Sequence, residues 1–203
     1  MYITMNKSKS AFTLIELLVV VTIIGILAGL SVPVISVALE KAKRAQAGAM
    51  VGNLKVALSA YEADYGAWPT FLASDAGAPV SSYNSSSLYH LLIGYVNDQE
   101  AGNPRGTVYM QFNKRDLCSA SGEPYGGSDM KEAGGFMDPW RNPYWVKVDS
   151  TYSNQITGLP SKTGGNETIN ASLAIWSVGP QPNSPVSESD GGSDRKKYVT
   201  SWW

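Results

Sequence analysis

Residues 12–32 read FTLIELLVVVTIIGILAGLSV, an apolar run broken by one acid, Glu16. About 20 residues at ~1.5 Å rise reach across the ~30 Å hydrocarbon core of a bilayer, so the run is long enough to be a membrane helix. A carboxylate at the fifth position of such a segment is costly in lipid and therefore suggests a function and a partner. Two readings follow from the residues: Glu16 is solvated at headgroup level, or it is paired with a cation.

The flank before the run, MYITMNKSKSA, carries Lys7 and Lys9 and no acid, as on the cytoplasmic side of a membrane helix. A secretory signal would place a small-residue cleavage site after the apolar stretch. Here the stretch runs into Pro33 and more helix, and the small residue, Ala11, comes first. That order predicts a leader removed in front of a retained apolar segment. LEKAKRAQ (39–46) fits the exit from the apolar zone, and Met50, Leu54, Ala57 or Leu58, Tyr61 and Tyr65 then form one amphipathic stripe. Gly66 and Pro69 end the pattern. Gly25, Gly29 and Pro33 are positions for a bend or a close helix approach.

At 203 residues, one modest domain is expected beyond the helix. The formal charge is −1, and removing Lys7 and Lys9 with the leader brings it to −3, with no basic patch for nucleic acid. Cys118 is the only cysteine, so no intramolecular disulfide can form. His90 is the only histidine and no motif places a second ligand or nucleophile beside it, so it reads as structural or exposed. The chain carries no nucleotide-binding, metalloprotease or serine-hydrolase motif, which argues against an enzyme.

Residues 66–140 are rich in Gly, Ser, Asn and Pro. Within them, 85–95 predict a short helix with Ser86 or Ser87 as N-cap. Thr107–Phe112 alternate as a strand with Val108, Met110 and Phe112 on one face. Asp138-Pro139 and Asn142-Pro143 start turns on either side of Trp140. Tyr144–Val148 and Leu173–Val178 then read as strands of an antiparallel sheet resting on the helix stripe.

Ser10-Ala11 followed by Phe12-Thr13-Leu14-Ile15-Glu16-Leu17 resembles the prepilin peptidase site of type IV pilins and type II secretion pseudopilins, although the family usually has Gly where this chain has Ala11. The resemblance implies cleavage between Ala11 and Phe12 and N-methylation of Phe12. The new amine, one helical turn before the acid, can meet Glu16 within its own chain or Glu16 of a neighbouring subunit, and the second arrangement would set the register of a helical filament. DPWRNPY (138–144) resembles the DPWGNPY element of the major pseudopilins of type II secretion, with Arg141 in place of Gly. IWSVGP followed by an acidic loop and a closing Trp resembles their last segment.

The implied fold is α+β and pilin-like: a long N-terminal helix, half of it transmembrane, packed on a small antiparallel sheet with a long variable loop region. Its parts are a leader (1–11), an assembly helix (12–34), the helix's soluble half (35–66), an insert (67–135) and a C-terminal sheet and loop (136–203). Calcium is implied in the C-terminal loop, where oxygen ligands are needed. Asp190 and Asp194 are the best matches, with Glu188 and Asn183 in reserve and Val178 as a carbonyl donor. Gln181-Pro182 stands where the family has Asp-Gly, and residues 189–192 do not follow EF-hand spacing.

The implied function is a non-enzymatic subunit of a periplasmic pseudopilus, a piston or scaffold in type II secretion. Its partners would be other copies of itself, prepilin peptidase, the inner-membrane secretion platform and minor pseudopilins, with no nucleic acid. It would sit in the bacterial inner membrane with its C-terminal domain in the periplasm. The alternatives are a surface type IV pilus subunit for adhesion, motility or DNA uptake, and a monomeric membrane-anchored binding domain.

Overall fold

A computed structural model describes residues 12–73, 79–83, 86–160, 166–180 and 198–202. The chain divides into two compact units, Met1–Ala42 and Lys43–Trp203. Helix α1 (Leu14–Tyr65, 52 residues) contributes to both. In the first unit its described apolar side chains stand open, among them Leu17, Leu18, Ile23 and Leu27.

In the second unit α1 buries one stripe: Ala47, Val51, Leu54, Ala57, Leu58 and Tyr61. The spacing keeps these residues on one side of a 3.6-residue helix. Met50 and Tyr65, expected in the stripe, lie half-buried at its margin. The helix stops where Gly66 takes a left-handed φ of 71°, and the Gly66 amide donates back to Glu62 O at 2.7 Å.

A four-stranded antiparallel sheet packs on the stripe, in the order β1 (Val80–Ser81), β4 (Tyr144–Val148), β7 (Leu173–Ser177), β8 (Val199–Thr200). Strands β4 and β7 match the two sequence-predicted strands, and their register pairs Val146 with Ile175 and Trp145 with Trp176. Successive side chains alternate between faces. Tyr144, Val146, Val148, Leu173 and Ile175 join the α1 stripe in the main core. Ala174 and Trp176 face a second cluster with Ile156 and Leu159. That cluster is supplied by a hairpin of β5 (Ile156–Pro160) and β6 (Asn166–Ile169). With both faces covered, β7 is buried along its whole length, which explains why Leu173–Trp176 are all apolar.

The region 67–135 holds α2 (Ser86–Ile93) and β2 (Leu117–Cys118), and β2 pairs with β3 (Gly135–Phe136). Helix α2 begins at Ser86, so Ser86 and Ser87 are inside it and neither is the expected N-cap. Thr107–Phe112 do not form the expected strand. The Tyr109 and Met110 amides both donate to Leu92 O at 2.9 Å, and Asn103 Nδ2 donates to Thr107 O at 2.8 Å. Val108 stays 56% exposed while Phe112 is buried, so the alternation does not define a sheet face.

Buried Ser82 holds this region to the sheet. Its Oγ donates to Phe136 O at 2.6 Å and accepts from the Tyr144 amide at 2.9 Å. Gly135 packs so close that a Cβ there would lie 1.8 Å from Ser82 O. The architecture is the expected pilin-like α+β fold. Leu58→Ala is expected to cost about 2–5 kcal/mol, from transfer plus cavity terms, read as a lowered denaturation midpoint for the full chain in micelles; an unchanged midpoint would remove the stripe from its central place.

Candidate functional site

The first candidate site is the start of α1. Phe12 and Thr13 precede the helix, which begins at Leu14. The Thr13 amide and Oγ1 donate to Glu16 Oε2 at 2.8 and 2.7 Å, and the Glu16 amide lies 3.3 Å from Thr13 Oγ1, which accepts from it. This is a capping box, in which Thr and Glu three residues apart each satisfy a donor of the other. Thr13 was not among the site residues drawn from the sequence, yet Thr-x-x-Glu before an apolar run is its sequence signal. Glu16 is therefore already engaged within its own chain, and only one of its two oxygens carries both Thr13 donors.

Phe12 is 75% exposed, and the apolar side chains after it share that exposure. Ala11 lies outside the described residues. Among the described residues no helix is long and apolar enough to cross a membrane. Thr13→Ala is expected to cost about 1 kcal/mol at the helix start, seen as faster amide exchange at residues 14–17, while Thr13→Ser retains protection; equal exchange in all three proteins would contradict the capping role.

The second candidate is the Asp138–Tyr144 stretch. Asp138 is 3% exposed. Its Oδ1 accepts from the Trp140 amide at 2.9 Å and the Asn142 amide at 2.7 Å. Its Oδ2 accepts from Ser177 Oγ at 2.5 Å. Ser177 Oγ accepts from the Gly179 amide, and Asn142 Nδ2 donates to Gly179 O at 2.6 Å. The turn is thus clasped to the end of β7 by side chains, without a disulfide. Cys118 is free and buried on β2, and burial pushes its thiol up to about 12, so the thiolate is disfavoured.

Burial raises the Asp138 carboxyl from 3.8 to about 6, against the opposing pull of its Ser177, Asn142 and Trp140 donors and of Lys43. The folded state therefore holds this proton more tightly than the unfolded chain. Its contribution to stability is full below about pH 4 and declines as pH rises through 6. Asp138→Asn should flatten that part of the melting-temperature profile; an unchanged slope between pH 4 and 7 would assign it elsewhere.

Arg141 occupies the turn with φ of 66°, a left-handed conformation that suits glycine. The Tyr83 hydroxyl donates to its carbonyl. Arg141→Gly should stabilise the fold by about 1 kcal/mol, measured by denaturation; a destabilised variant would show that the guanidinium is needed for folding.

The residues expected to hold calcium, Asp190 and Asp194 with Glu188 and Asn183, lie outside the described residues. Val178 is buried beside the clasp. Among the described residues no group of three or more His, Cys, Asp or Glu could hold a metal.

Residues 6–32, which include the helix start, match the family model described as Prokaryotic N-terminal methylation motif. The chain is similar to fimbrial protein EcpC of Eikenella corrodens, 35% identical over 78 residues that make up 38% of this chain and 49% of that protein. It is similar to type IV major pilin protein PilE1 of Neisseria gonorrhoeae, 32% identical over 77 residues, 38% of this chain and 36% of that one. A fimbrial protein of Neisseria meningitidis serogroup B is 36% identical over 78 residues, 38% and 45% of the two chains. The matches thus span half or less of the length of these curated relatives. No solved structure matches.

Proposed function

We propose that this chain is a type IV pilin-like structural subunit, cut between Ala11 and Phe12 by prepilin peptidase, N-methylated at Phe12, and assembled with other copies into a filament. The observation that carries this reading is the methylation motif at residues 6–32 in front of a helix whose apolar side chains are uncovered. An uncovered apolar helix needs burial, first in the inner membrane and then among neighbouring copies. Glu16 directs that transfer. One of its oxygens serves Thr13, and the carboxylate remains the counter-charge for the Phe12 amine of an adjacent subunit.

The finer reading is a type II secretion pseudopilin with its C-terminal domain in the periplasm, working with an inner-membrane platform and minor pseudopilins as a piston or scaffold. Its support is the DPWRNPY turn, whose Asp138 and Asn142 fasten the end of β7 in a chain with a single cysteine. A calcium ion held by Asp190 and Asp194 belongs to the same reading. It rests on the resemblance of the C-terminal loop to that of the major pseudopilins, and chelator-insensitive melting would count against it. A second reading, a surface type IV pilus subunit, is favoured by the names of the relatives, which are fimbrial proteins and pilins.

Glu16→Ala is expected to leave membrane insertion intact and to reduce filaments at least tenfold by electron microscopy and shearing; normal filaments would defeat the register role. Deleting the gene separates the two finer readings. Loss of protein secretion with surface pili retained supports the pseudopilin, and loss of surface pili with secretion retained supports the pilus.

A further inference from the structure

His90, the only histidine of the chain, lies on α2 with 13% of its side chain exposed. Both ring nitrogens have partners. Nδ1 is 2.7 Å from Asp98 Oδ2, and Nε2 is 2.9 Å from the carbonyl oxygen of Lys131. A carbonyl only accepts hydrogen bonds, and so does an ionised carboxylate. A neutral imidazole has one N–H and can serve one of these partners; the imidazolium has two and serves both.

Asp98 does not bring a proton of its own. Desolvation raises its carboxyl, but the His90 hydrogen bond and the Ala101 and Glu100 amides outweigh that and hold it below its ordinary value. Its other oxygen caps the 3-10 turn Gln99–Ala101, accepting from the Glu100 amide at 3.0 Å and the Ala101 amide at 3.2 Å. Lys131 lies in a second 3-10 turn, Met130–Glu132. One ring therefore joins α2 to two short turns that are distant in sequence. The other groups against it are the Tyr95 ring at 4.6 Å and the Tyr89 ring at 5.9 Å. From the second turn the carbonyl of Lys131 faces it, and from the first segment the Asp98 carboxylate.

We propose that His90 is a proton-dependent latch, closed as the imidazolium and opened on its Lys131 side when the ring loses a proton. Histidine changes charge between pH 5 and 8. The second bond needs the second ring N–H, so the latch is closed while the ring carries both protons and opens on its Lys131 side when it carries one. The bond kept on deprotonation is the one to Asp98, because a hydrogen bond to an ionised acceptor is the stronger. The bond released is the one to Lys131, whose turn then gains freedom while the Asp98-capped turn keeps its cap. The latch is a pH-responsive element on the surface of the second unit, and it does not depend on the filament reading.

The single histidine makes the test direct. In the full-length protein in micelles, nitrogen-15 imidazole spectra should show two ring N–H groups at pH 5 and one at pH 9. Amide exchange at Lys131–Ala133, divided by that of His90→Leu at the same pH, should rise at least threefold over this range, with no change at Glu100 and Ala101. Asp98→Asn should open the latch at lower pH than wild type, which keeps the test valid if His90→Leu folds poorly. A neutral ring at pH 5, or exchange at 131–133 that follows pH alike in wild type and variants, would overturn the proposal.

Discussion

The apolar stripe on the second part of α1 organises everything around it. Val51, Leu54, Leu58 and Tyr61 supply one wall of the main core, and Tyr144, Val146, Val148, Leu173 and Ile175 supply the other. An amphipathic helix has little reason to hold its shape alone in water; packing of its apolar face fixes it. The 67–135 region then attaches to the same stripe through polar contacts as well. Tyr61 OH donates to Gly102 O at 2.7 Å and Tyr65 OH to Asn103 Oδ1 at 3.0 Å. Asn103 in turn donates to Leu91 O at the centre of α2.

Side-chain clasps replace covalent fixation in this domain. Ser82 ties β1, β3 and β4 together, and Asp138 with Asn142 ties the 138–142 turn to the end of β7. Each buries polar groups that would be costly unpaired, and each pairs them with backbone or hydroxyl partners. The arrangement explains how a chain with one buried cysteine fixes its C-terminal half. It also explains why an acid sits inside: its oxygens organise two backbone amides and one hydroxyl at a single point.

Legibility in the sequence followed periodicity. The α1 stripe and strands β4 and β7 could be read because a covered helix face and covered sheet faces leave regular apolar spacing. Thr107–Phe112 misled for the same reason. They alternate like a strand, but the Tyr109 and Met110 amides are taken by Leu92 O, an acceptor on α2 that no local pattern reveals. The His90–Lys131 contact and the Ser82 node were invisible because their partners are separated by long stretches of chain. The Thr13 capping box is legible as Thr-x-x-Glu ahead of an apolar run, with Glu16 as its second member. The Arg141 position shows the reverse: a departure from a glycine pattern that reappears as a left-handed φ.

One helix thus serves two physical roles, a packed stripe in the second unit and an uncovered apolar segment in the first. Under the proposed function the uncovered segment is a processed and retained assembly helix. The most direct measurement is the intact mass and N-terminal fragment spectrum of the protein recovered from its native membranes. A chain beginning at Phe12 and carrying one additional methyl group is the predicted result. A chain that still carries residues 1–11, or one cut after the apolar run, would contradict it.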